Sequence, residues 1–93
     1  MLFANAFLLS MFIDIGNDYI LKASDVVGVF DLDNISVGKG TRLFLERAEK
    51  DGKIVNAAKN NLPRSLLLTE NSVYLSFLNV STILKRHLQK KGL

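Results

Sequence analysis

His87 is the only imidazole in a chain without cysteine. Those two counts remove much of metal and nucleophile chemistry: no two-histidine metal site, partner base, disulfide, zinc knuckle, iron–sulfur cluster or thiol nucleophile can be built from this chain. His87 falls on the apolar stripe of a terminal helix, where a packed or interfacial ring is expected rather than a catalytic one. Asp31 and Asp33 form an acidic pair near a strand end, but two carboxylates without further oxygen ligands make a poor cation site, and they read as solvated loop side chains. Gly38-Lys39-Gly40-Thr41 has the glycines and the following helix that phosphate loops use. It lacks the upstream glycine of that motif and carries Gly40 where Ser or Thr must follow the lysine. No Gly-x-Ser-x-Gly elbow and no ordered Ser, His and Asp set occurs, so neither an enzyme nor a cofactor is expected.

Charge is more informative. Residues 1–52 carry five basic and eight acidic side chains, whereas residues 53–93 carry seven basic ones and only Glu70, so a formal net charge of +3 is the sum of −3 and +6. The cations form two groups along the chain: Lys53, Lys59 and Arg64 around a central loop, and Lys85, Arg86, Lys90 and Lys91 on the last helix. Cations gathered on one face are the footprint of phosphate-backbone binding, with affinity drawn from counterion release. The competing reading is that cations near a helix C-terminus serve the helix dipole and solubility.

The elements that must position these groups follow from pattern. Phe12-Ile13-Asp14-Ile15, the turn residues Gly16-Asn17-Asp18 and the run Tyr19-Ile20-Leu21 predict a β-hairpin. Val26-Val27-Gly28-Val29-Phe30-Asp31-Leu32 predicts a mostly buried strand, with Gly28 marking a bulge or close packing. Residues 33–40 read as a loop, and Thr41 as the cap of a helix running to Lys50 with Gly52 past its end; Leu43, Phe44 and Ala48, joined by Leu45, form its apolar face. Lys53 to Ala57 is a fourth strand, followed by a loop stopped by Pro63. Ser65 to Thr69 and Val73 to Phe77 flank a second hairpin turn. Val80, Ile83, Leu84, His87 and Leu88 have helical spacing, with Ser81 as cap and Gly92 as stop. The order β-β-β-α-β-β-β-α specifies an α+β domain with a small, mostly antiparallel sheet and two helices.

With 93 residues, 48% of them hydrophobic and 23% charged, the chain supports one globular domain. A domain of this size buries only about two-thirds of its unfolded surface, so its core is thin and association with further copies is an expected source of stability. No apolar run reaches the length of a membrane span, and the absence of cysteine fits a reducing cytoplasm. Residues 1–10 are apolar and uncharged, but no basic residue precedes the run and no cleavage site follows it, as a secretory signal would require. The expected organisation is an N-terminal extension over 1–10, from an upstream start codon or cloning, and a single domain over 11–93. A genuine extra strand or greasy arm docking on a neighbouring subunit is the other reading.

From Met11 to about His87 the chain resembles the RemA/RemB family of bacterial extracellular-matrix regulators, nearer its RemB branch. The resemblance is carried by Phe12-Ile13-Asp14-Ile15-Gly16, Asp25-Val26-Val27-Gly28-Val29-Phe30-Asp31, Pro63-Arg64-Ser65 and Ser81-Thr82-Ile83-Leu84-Lys85-Arg86. It implies a small α+β protomer that closes into a homo-oligomeric ring and, in the RemA branch, binds DNA upstream of matrix and biofilm genes. Carried onto this chain, the implied phosphate contacts are Arg64, Lys59, Lys53, Lys85 and Arg86, with copies around a ring multiplying a small basic patch. Two departures weigh against that transfer. Asn60-Asn61-Leu62 stands where the RemA branch has neighbouring arginines, and Asp25 stands where it has a basic residue; neither touches the expected assembly. The alternative expectation is an oligomeric scaffold that binds a protein partner and no DNA.

Overall fold

The computed structural model describes residues 11–33 and 38–91, with side chains as far as His87. The expected extension over 1–10, loop positions 34–37 and the Gly92 helix stop lie outside the described residues. The strands are β1 (Phe12–Asp14), β2 (Ile20–Lys22), β3 (Val26–Asp31), β4 (Ile54–Asn56), β5 (Ser65–Thr69) and β6 (Val73–Ser76), and the helices are α1 (Lys39–Lys50) and α2 (Val80–Lys91). A short 3-10 turn over Ala23–Asp25 separates β2 from β3. The element order is the expected one, and the class is α+β.

The sheet arrangement corrects the expectation in two respects. The strands form two sheets, a β1-β2 hairpin and a four-stranded sheet in the order β3-β5-β6-β4, because the Ala23–Asp25 turn redirects the chain after the hairpin. Within the larger sheet β4 pairs with β6 in parallel, Ile54 opposite Val73 and Asn56 opposite Leu75. The chain reverses once into β5 and again into β6, so β4 and β6 point the same way. β3 is also antiparallel to β5, so β3 and β4 run in one direction at opposite edges, with α1 as their crossover.

Alternation along β5 divides the core. Leu66, with Val73 and Ala48 of α1, forms one buried cluster to which Leu68, Leu75, Ile54 and Leu45 add. Leu67 faces the other way, into a cluster of Ile15, Leu21, Ala57, Leu78 and Ile83 that joins the sheet to the hairpin and α2. One helix therefore covers each face. Leu43, expected on the inner face of α1, is 55% exposed because it lies well around the helix from Ala48. Leu84 of α2 is half exposed as well, since Ile83 centres the buried side of that helix. β3 was expected to be mostly buried; it is an edge strand with Val27 68% exposed, and its register slips between Val26 and Gly28. Gly28 also meets the close-packing expectation: a Cβ there would stand 2.8 Å from the Phe30 ring.

Helix ends differ in detail. α1 starts two residues before Thr41, from a Gly38 N-cap without a side-chain bond, the Arg42 amide donating to the Gly38 carbonyl at 3.0 Å. Asn79 rather than Ser81 caps α2, its Oδ1 accepting from the Thr82 amide at 2.8 Å. Gly52 follows α1 with φ 68°, as its place past the helix end requires.

Ser65 and Ser76 are cross-strand partners and both are fully buried. The Ser76 hydroxyl donates to the Ile15 carbonyl at 2.7 Å and accepts from the Leu78 amide at 3.0 Å, tying the hairpin to the end of the large sheet. Ser65 Oγ has no partner among the described residues. The two hydroxyls should therefore respond oppositely to removal. In chemical denaturation Ser76→Ala is expected to cost about 1–3 kcal/mol by stranding a buried carbonyl and amide, whereas Ser65→Ala is expected to be neutral or stabilising.

Candidate nucleic-acid interface

The loop from Ala57 to Arg64 lies at the end of the sheet where β4 and β6 finish and β5 begins. Its start is pinned by the Asn17 side-chain amide, which donates to the Ala57 carbonyl at 2.8 Å, and by fully buried Ala57 and Ala58. Asn56 then closes the turn: its Oδ1 accepts from the Ala58 amide and its Nδ2 donates to the Lys59 carbonyl, both at 3.2 Å. Lys59 adopts φ 55°, a conformation that ordinarily favours Gly or Asn, and its side chain is exposed. At the other end of the loop the Arg64 amide donates to the Ser76 carbonyl at 2.8 Å and the Arg64 carbonyl accepts from the Leu32 amide at 3.0 Å. Both cations thus sit on a short, hydrogen-bonded loop.

Lys53 is elsewhere. It precedes β4 at the opposite end of the sheet, its carbonyl accepting from the Val73 amide at 2.8 Å. Asp25 and Glu70 stand at that same end, next to the start of β3 and the finish of β5. Three cations adjacent in the chain are thereby split, with Lys59 and Arg64 at one end and Lys53 at the other.

Arg64 is not solitary. Its Nε meets Asp33 Oδ2 at 3.0 Å, with the two side chains 47% and 33% exposed. Asp33 is therefore ion-paired, not merely solvated as its sequence position suggested; its amide donates to Asp31 Oδ1 at 2.9 Å. A cleft at this end is lined by Asp31, Asp33 and Arg64 together with Asn79, Val80 and Ser81 at the start of α2. On α2, Lys85 is exposed, while Arg86 Nη1 lies 3.6 Å from Asp14 Oδ2. His87 is half-buried, with Nδ1 3.0 Å from the Phe12 carbonyl, to which it must donate. Among the described residues no group of three or more His, Cys, Asp or Glu side chains could hold a metal, and no helix is long and apolar enough to cross a membrane.

The aspartate partners of the two arginines were not found by reading the sequence. Asp33 and Arg64 are 31 positions apart, and Asp14 and Arg86 lie on different elements, so no local spacing signals either pair.

The model of the RemA-like family, described as extracellular matrix regulatory protein A-like, matches residues 12–87. The chain belongs to the RemA-like family. Extracellular matrix regulatory protein B of Bacillus subtilis (strain 168) is 32% identical over 76 residues, covering 82% of this chain and 89% of that protein. The matched span takes in both sheets, α1, the Ala57–Arg64 loop and the first two turns of α2, so the whole scaffold that carries Lys59, Arg64, Lys85 and Arg86 is family structure.

Because the Arg64–Asp33 pair is solvent-exposed, it contributes little to folding. Arg64→Gln and Asp33→Asn are each expected to change unfolding free energy by less than about 1 kcal/mol, as read by denaturant titration, which makes both usable as probes of binding.

Proposed function

We propose that this RemA-like protein is a cytoplasmic DNA-binding regulator of extracellular-matrix and biofilm genes, acting as a ring-shaped homo-oligomer that contacts the phosphate backbone. The observation that carries the reading is the presentation of Lys59 and Arg64 on one hydrogen-bonded loop at one end of the sheet, in a chain half with net charge +6. A pinned loop loses little backbone freedom on binding, which favours each contact. Lys85 and Arg86 on α2 extend the set, and Lys53 contributes only if a neighbouring copy brings its end of the sheet to the same duplex. One protomer offers few phosphate contacts, and repetition around a closed assembly turns each later contact into an intramolecular one. The sequence carries no recognition-helix pattern, so the binding proposed is to backbone and shape.

A scaffold for a protein partner is the second reading. It is favoured by an apolar groove between α1 and the β3 edge, lined by Phe30, Leu32, Phe44, Leu66 and Leu68, in which Phe30 and Phe44 are each nearly half exposed.

The two are separated by substitution. Arg64→Ala with Lys59→Ala in the full chain is expected to weaken binding to a long duplex at least tenfold and to flatten the dependence of affinity on salt, each lost contact reducing the slope by about 0.9. Unchanged affinity in the double variant contradicts the assignment of these residues. A stoichiometric protein partner recovered without nucleic acid supports the scaffold.

A further inference from the structure

We propose that Asp33 sets the affinity of the Arg64 site, its carboxylate occupying the guanidinium that a DNA phosphate must take, so that the ion pair acts as a brake on phosphate binding. This rests on the reading of Arg64 as a phosphate contact.

The pairing is imposed by the backbone. The Leu32 amide donates to the Arg64 carbonyl at 3.0 Å, which holds the end of β3 beside the start of β5, and Asp33 is the next residue. The Asp33 amide is in turn held by Asp31 Oδ1 at 2.9 Å. These bonds place the Asp33 carboxylate opposite the guanidinium, where Nε and Oδ2 meet at 3.0 Å. Arginine binds a phosphate through a fork of two parallel N–H groups, and a carboxylate on Nε takes one of its edges. The same cleft holds Asp31, whose negative charge lowers the local potential further. Exposure of the pair to solvent keeps it weak enough for a phosphate to displace, which makes it a modulator and not a block.

Arg86 repeats the arrangement with Asp14 at 3.6 Å. Lys53, Lys59 and Lys85 make no ion pair with the described residues. Of the five cations, the two arginines, which alone can grip phosphate bidentately, are the two that carry an acidic partner.

The test is a double-mutant cycle in the full chain, with Asp33→Asn, Arg64→Ala and the two combined, titrated against one long duplex at fixed salt, and with melting curves to confirm folding. Asp33→Ala serves as a second variant that cannot hydrogen-bond to Arg64. Asp33→Asn is expected to tighten binding about threefold and to steepen its salt dependence, the size expected from releasing an exposed ion pair. In the Arg64→Ala background the same substitution should yield less than half of that gain. Equal gains in both backgrounds overturn the proposal, because Asp33 would then act only as a distant repelling charge. No gain from either substitution at Asp33, when the unmodified protein binds, overturns it as well. Failure of every form, including the unmodified protein, to bind at low salt overturns the phosphate-contact reading itself and this inference with it.

Discussion

Two sheets that share no backbone ladder are docked through the hydroxyl of Ser76, beside the buried apolar cluster that joins them. It donates to the last carbonyl of the hairpin's first arm, at Ile15, and accepts from the amide of Leu78, where the chain leaves the large sheet for α2. Both bonds are buried, where an unmade partner is costly. Gly16 allows the approach, since a Cβ at that position would lie 2.5 Å from the Phe77 ring and its φ of 92° suits glycine alone. The Ser76 carbonyl receives the Arg64 amide, so the residue that docks the hairpin also sets the base of the loop bearing Lys59 and Arg64.

From that junction the division of labour follows. The face of the sheet toward α2 is closed by the hairpin and by Ile83, and its rim carries the loop cations and the start of α2. The opposite face is covered by α1 only in part, leaving Phe30 and Phe44 partly in solvent at the β3 edge. A domain with a thin core thus carries charged groups at one end, Arg64 among them beside Asp31 and Asp33, and apolar surface at one edge. Family membership places the chain among extracellular matrix regulatory proteins. The distribution of charge is what argues for DNA as the ligand.

Much of the local structure was legible because its signals are local. Gly16-Asn17-Asp18 all take positive φ in the first hairpin turn, Gly52 ends α1, and the Glu70-Asn71-Ser72 stretch closes the second hairpin through Thr69 and Ser72. The blocks that carried the family resemblance are equally short. What could not be read depends on distance along the chain. Parallel pairing of β4 with β6 is decided by β6 inserting between β4 and β5, and nothing in Lys53-Ile54-Val55 distinguishes a parallel edge from an antiparallel one. Lys53 reads as a neighbour of Lys59 because they are close in the chain, yet the short strand β4 (Ile54–Asn56) lies between them and carries them to opposite ends of the sheet. The same blindness hid Asp33 from Arg64, and it mattered most there, since it changes the chemistry of the site rather than its position. At α2, Asn79 and Ser81 are both competent caps, and the choice fell to Asn79 because its side chain reaches the Thr82 amide.

The central claim, that a self-assembled form of this chain binds duplex DNA through backbone phosphates, is tested most directly by titrating the full chain against a long AT-rich duplex at two salt concentrations while determining the mass of the assembly in the same sample. The account predicts a multi-subunit species whose affinity falls steeply as salt rises. A multi-subunit species with no affinity for DNA at low salt, or a monomer under the same conditions, would contradict it.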